Sequence, residues 1–152
     1  MKSSKNLLVL SLVTSAIALS APAAFAKKAK VGVEFKEWNI TLSEETVPAG
    51  EIEFAVKNKG KEEHEIVIIK LNTDVATGRL PVNKDGGIDE DNMTFGVMIG
   101  EVEGLAPGKK TKESFNLKPG RYAVICNLIE EEPNGEIEAH YSMGMHAVLN
   151  VE

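Results

Sequence analysis

Leu117-Lys118-Pro119-Gly120-Arg121-Tyr122-Ala123-Val124-Ile125-Cys126 is the stretch whose reading decides the fold. Pro119-Gly120 is a strong turn signal. The run that follows is rich in aromatic and β-branched residues, as strands are. That strand ends on Cys126, the only cysteine in the chain.

Working outward, Tyr122 sits two residues beyond the Pro-Gly turn. It resembles the tyrosine corner of Greek-key sandwiches, in which the phenol bonds back to the backbone of the preceding arch. Glu51–Lys57 alternates polar and apolar residues, which places Ile52, Phe54 and Val56 on one face of a strand. Turn residues flank it at Val47–Gly50 and Asn58–Gly60. Ile66–Ile69 is an uninterrupted apolar run and reads as a strand covered on both sides. Ser114–Leu117 and Ala147–Val151 are further strands, and Val31–Thr41 supplies two more. Leu71–Gly100, rich in Asn, Asp and Gly, reads as a surface excursion with room for one short helix or strand. The expected fold is all-β, a Greek-key β-sandwich with a loop excursion at about 71–100.

Residues 1–26 carry an address rather than structure. Two lysines within Met1–Lys5, the apolar run Leu7–Ala21 and Ala24-Phe25-Ala26 have the three-part layout of a secretory signal, with cleavage expected before Lys27. The mature chain, Lys27–Glu152, is one domain's length and contains no apolar stretch long enough to span a bilayer. The expected location is the periplasm, and the expected state a monomer. Two of the 17 basic residues and none of the 23 acidic ones precede Lys27, which leaves 15 against 23 and a net charge of −8. Such a surface excludes nucleic acid, whose phosphates reward basic residues. It suits a basic protein partner.

An unpaired cysteine in an exported chain is an inert buried thiol, half of an intermolecular disulfide, or a metal ligand. Its neighbours favour the last. Cys126, His140, Met143, Met145 and His146 lie close together in sequence, with His64 upstream. Two histidines and a cysteine with a weak axial methionine form the ligand field of a blue-copper site. His146 opens the last strand and reads as a neighbour of the site or an exposed residue.

In order and context these residues resemble the cupredoxin family, and in particular small bacterial periplasmic cupredoxin-like proteins. His64 follows the Asn58-Lys59-Gly60 turn, Cys126 ends the strand after the Pro-Gly-x-Tyr corner, and His140-Tyr141-Ser142-Met143-Gly144-Met145 carries the family's His-x4-Met spacing. The resemblance implies one type 1 copper ion held by His64, Cys126, His140 and Met145. It selects Met145 over Met143 as the axial ligand. Two departures stand out. Glu65 occupies the position after His64 where many cupredoxins have Asn. Residues 127–139 also lengthen the segment between Cys126 and His140. That insertion reads as a hairpin turning at Pro133-Asn134-Gly135, which would set Cys126 opposite Tyr141–Met143.

The resemblance implies electron transfer, with a basic, cytochrome-like redox protein as partner and no enzymatic activity of its own. Three histidines in the whole chain, two of them assigned to this copper, cannot furnish a second copper centre. The alternatives are a periplasmic copper carrier or store, which would use Cys, His and Met donors for Cu(I), and a β-sandwich binding module with a vestigial site.

Overall fold

The computed structural model describes residues 28–72 and 74–152. The expected signal segment and the cleavage point before Lys27 lie outside the described residues. Among those described, no helix is long and apolar enough to cross a membrane.

Eleven strands make up the described fold. One sheet joins β2 (Asn39–Leu42), β1 (Ala29–Lys36), β4 (Gly50–Asn58) and β7 (Lys110–Leu117) in that order. The other joins β3 (Thr46–Val47), β11 (His146–Val151), β8 (Gly120–Ile125), β5 (His64–Leu71) and β6 (Gly96–Leu105). A separate hairpin, β9 (Ile129–Glu131) with β10 (Ile137–Ala139), stands outside both sheets. Five connections, β2 to β3, β3 to β4, β4 to β5, β6 to β7 and β7 to β8, pass from one sheet to the other, so the two sheets close on a shared core as in a Greek-key sandwich.

Strand parity decides what fills that core. Val31, Val33 and Phe35 of β1 and Ile52, Phe54 and Val56 of β4 meet Ile66 and Ile68 of β5, Tyr122 and Val124 of β8, and Leu149 and Val151 of β11. The opposite face of β5 and β8 is covered as well. Val67, Ile69, Ala123 and Ile125 pack under Leu80, Ile88 and Phe95 from the 72–95 segment, together with Tyr141. This explains the uninterrupted apolar run at Ile66–Ile69, which is buried throughout. The excursion is therefore a cover with its own apolar anchors. It contains two single-turn 3-10 helices, Thr77–Arg79 and Glu90–Asn92, and ends at Gly96, where β6 begins.

The tyrosine corner is present. Tyr122 is buried, and its hydroxyl donates to the carbonyl of Lys118 at 2.7 Å. This bond fixes the arch between β7 and β8 and so sets the direction in which β8 delivers Cys126.

Candidate metal centre

Two strands and one turn deliver the site. His64 shares the inward parity of Ile66 and Ile68 at the start of β5, and Cys126 shares that of Tyr122 and Val124 at the end of β8. The strands are neighbours, with Val67 opposite Ile125. Both side chains therefore enter the same end of the sandwich.

His140 arrives by way of the insertion. Residues 127–139 form the expected hairpin: Ile129 pairs with Ala139, and Glu131 with Ile137. The Gly135 N–H closes the turn onto the Glu132 carbonyl at 2.8 Å. The His140 N–H donates to the Leu128 carbonyl at 3.0 Å, so the ladder extends to the ligand itself. It does not continue to Cys126. There the chain makes a tight turn, with the Met143 N–H bonded to Ala139 O and the Gly144 N–H to Tyr141 O, each at 3.0 Å. The Cys126 N–H instead meets the Met145 carbonyl at 3.1 Å. The expected partner of Cys126, Tyr141–Met143, is thus replaced by Met145, because the turn takes up the residues between. Gly144 permits this, since its φ of +120° is strained for a side chain and a Cβ there would come within 3.2 Å of the Trp38 carbonyl.

The result is a buried cluster of three donors. Cys126 Sγ lies 3.3 Å from His140 Nδ1 and 3.9 Å from His64 Nδ1, and the two Nδ1 atoms are 3.3 Å apart. His64, Cys126, His140 and Met145 all have 0% exposure. Three atoms that bind best through lone pairs thus face one another, with few protons available to join them. Bonds of about 2.0–2.3 Å to a central cation, as in zinc sites, would hold trigonal N and S donors about 3.5–3.8 Å apart. The observed separations, 3.3–3.9 Å, bracket that spacing, and two imidazoles with a thiolate are the trigonal donor set of blue copper. The cluster is suited to one copper ion. Met143, by contrast, is 40% exposed. His146 opens β11 away from the cluster, with its ring 5.9 Å from that of Tyr141.

Burial governs the electrostatics. It pushes the Cys126 thiol up to about 12, against a smaller downward pull from the Glu65 and Leu128 N–H groups. Metal binding must therefore displace the thiol proton. Burial, reinforced by His64, lowers His140 to about 4, and His64 is lowered by burial as well. Both imidazoles are thus neutral and able to ligate at neutral pH.

The surroundings of the site include Glu65, which the sequence marked as a departure, and Asn127, Trp38 and Glu37, which it did not single out. Glu65 lacks the amide of an Asn, but its backbone N–H lies 3.4 Å from Cys126 Sγ, so the backbone supplies a donor to the sulfur. Its side chain accepts from the Asn127 N–H at 3.0 Å, and burial raises it to about 7. Asn127 ties the cover to the site: Ile88 N–H donates to its Oδ1 at 2.6 Å, while its Nδ2 donates to Ile88 O and Glu90 Oε1. The turn between β1 and β2 closes the end of the sandwich. Trp38 stacks edge-to-face on His140, with ring centroids 4.9 Å apart, and Glu37 approaches His64.

Comparison with known proteins agrees with this geometry. Residues 8–139 match the Cupredoxin-like domain. The chain belongs to the cupredoxin-like family. Among solved structures, this cupredoxin is similar to dithionite-reduced auracyanin from the photosynthetic bacterium Roseiflexus castenholzii, with 25% identity, a TM-score of 0.53, and coverage of 82% of this chain and 98% of that one. It shares its fold with rusticyanin from Thiobacillus ferrooxidans, at 17% identity and a TM-score of 0.54 over 83% and 78% of the two chains. It is also 30% identical over 131 residues to the iron uptake system component EfeO of Yersinia pestis. That match covers 86% of this chain but only 27% of EfeO, so the cupredoxin spans about a quarter of that relative's length.

Proposed function

We propose that this cupredoxin is a periplasmic one-electron carrier, not an enzyme, and that His64 and His140 through Nδ1, Cys126 through Sγ and Met145 through its thioether hold one copper ion. The observation that carries the reading is the complete burial of three donors, His64, Cys126 and His140, around one point, with the equally buried Met145 tied to Cys126 by a backbone hydrogen bond. A bound copper ion supplies a Cu(II)/Cu(I) couple. The chain's own contribution is a frame that keeps its shape whichever charge the site bears. Cys126 and Met145 are joined by a backbone hydrogen bond, His140 is held by the hairpin ladder, and the Tyr122 corner fixes β8. Trp38 on His140 excludes water from the donors.

The same burial disfavours a copper carrier, because handing over the ion requires an incoming ligand to reach the metal. Burial of Met145 and exposure of Met143 support Met145 as the axial donor.

The partner we propose is a basic, cytochrome-like redox protein that meets the monomer at the hairpin end. Glu130 and Glu138 are both raised, first by partial desolvation and then by neighbouring carboxylates, among them Glu62 and Glu132. Such crowding marks a concentrated negative field beside the site. Stopped-flow reduction by a basic cytochrome should slow as salt rises, since exposed charges are screened over about 10 Å at 0.1 M. A rate indifferent to salt would remove the hairpin carboxylates from the docking face.

A further inference from the structure

The two imidazoles of the site are not equivalent, and the difference arises from a turn far away in sequence. β1 runs parallel to β4 with Phe35 opposite Asn58, so the residues after Phe35 reach the loop that follows Asn58. That loop is pinned from within. Asn58 is fully buried, its Nδ2 donating to Glu62 O and Leu105 O at 2.7 Å each, while its Oδ1 accepts the Gly60 N–H at 2.8 Å. The pinned loop presents the N–H groups of Lys61 and Glu62 to one oxygen, Glu37 Oε1, with the Glu62 bond at 3.1 Å. The same Oε1 lies 3.5 Å from His64 Nε2, a nitrogen that is buried and makes no formed hydrogen bond. Gly60 leaves the space: a Cβ there would overlap Glu37 Oε1 and lie 3.1 Å from His64 Nε2.

Two backbone N–H groups point at Glu37 Oε1, an arrangement that suits a carboxylate anion, and the same oxygen faces His64 Nε2. An anion beside Nε2 requires that nitrogen to carry the imidazole proton, which leaves the Nδ1 lone pair facing Cys126 and His140. His140 has no such neighbour. Its Nε2 has no hydrogen-bond partner, and its ring packs against Trp38. An acceptor on the far nitrogen of a ligating imidazole fixes its tautomer and raises its donor strength.

We propose that Glu37 is a positioning residue for the metal centre: its carboxylate fixes His64 as the Nε2–H tautomer and, with copper bound, makes that imidazole the stronger donor of the pair, favouring Cu(II) over Cu(I). Only the second half rests on the copper reading given above. The first half is a property of the copper-free protein and can be measured without the metal.

The test has two parts. In copper-free wild type, long-range nitrogen–proton NMR of the imidazoles should show His64 protonated at Nε2. Glu37→Gln should keep that tautomer, because the amide oxygen can still accept from Lys61, Glu62 and His64. Glu37→Leu should lose it. In the copper-loaded protein, Glu37→Gln should reduce the preference for Cu(II) over Cu(I) about tenfold, the low end of the effect of such partners. That change reads as a rise of about 59 mV in midpoint potential. Glu62→Gln is the control for charge alone, since Glu62 also acts on His64 through space, and it should shift the potential clearly less. A wild-type His64 protonated at Nδ1 would overturn the proposal, as would a Glu37→Gln shift no larger than that of Glu62→Gln. If wild type retains no copper, the copper reading falls and the tautomer alone decides the role of Glu37.

Discussion

Glu65 and His140 should oppose each other in acid, and a single substitution should reveal it. Glu65 is held at about 7 rather than 4.5, chiefly by burial. At pH 7.5 the unfolded chain has released this proton, whereas folding costs free energy either to retain it or to bury the charge. The cost is about 3 kcal/mol at pH 7.5 and less than about 1 kcal/mol at pH 5. Acidification across this range therefore stabilises the fold through Glu65. His140, lowered from 6.5 to about 4, acts with the opposite sign. Above pH 6.5 it is neutral in both states and neither stabilises nor destabilises. Below that the unfolded chain takes up the proton first, and about 2 kcal/mol is lost by pH 5. His64 shifts in the same sense. In copper-free wild type Glu65 should offset about 2 kcal/mol of the histidines' loss, so urea unfolding should show a smaller fall from pH 7.5 to pH 5 than it does without Glu65. Glu65→Gln keeps an acceptor for the Asn127 N–H but removes the titration. It should be the more stable protein at pH 7.5 and should lose about 2 kcal/mol more than wild type on going to pH 5. If Glu65→Gln loses no more stability than wild type across that range, the account of a buried, protonatable Glu65 beside neutral histidines is wrong.

Other expectations follow from the same geometry. Met145→Leu should keep the visible band of the copper protein and raise its potential, while Met143→Leu, altering an exposed side chain, should do neither; the reverse pattern in voltammetry would reassign the axial ligand. Tyr122→Phe removes the hydroxyl bond to Lys118 and should lower stability by about 1–1.5 kcal/mol in urea, with the site spectrum unchanged. Replacing Glu130–Glu138 with Asn-Gly joins Ile129 to Ala139, residues that already face each other. Because closure entropy changes only about 0.6 kcal/mol per halving of loop length, this variant should fold, keep its copper and lose rate with a basic partner; loss of copper would make the whole hairpin part of the ligand scaffold.

How much of this was legible in the sequence depends on the distance over which each feature is decided. The corner at Pro119–Tyr122, the alternation in β4 and the doubly covered run in β5 are local patterns, and each appears where the residues imply it. The insertion was legible as a hairpin because Pro133-Asn134-Gly135 fixes its turn. The end of its ladder was not, since the tight turn at Tyr141–Gly144 passes so close to the Trp38 carbonyl that it suits a glycine at 144, a proximity that exists only in the folded chain. β6 was hidden because its run Gly96–Leu105 mixes glycines and glutamates with exposed Val97, Met98 and Ile99, giving no clean period. Register shifts against β5 on either side of its middle account for that irregularity. Glu37 and Trp38 were invisible for a different reason. They lie between two strands that the sequence did place, but their relation to His64 and His140 exists only once β1 pairs with β4.

The central claim is that Cys126, as thiolate, joins two buried imidazoles and a buried thioether on one copper ion. The visible absorption spectrum of the purified protein after loading with Cu(II) tests it most directly, with Cys126→Ser measured alongside. The account predicts an intense thiolate-to-Cu(II) band in wild type that a reductant bleaches and an oxidant restores, and no such band in Cys126→Ser. A copper-loaded wild type with no intense band, or a band that survives Cys126→Ser, would contradict it.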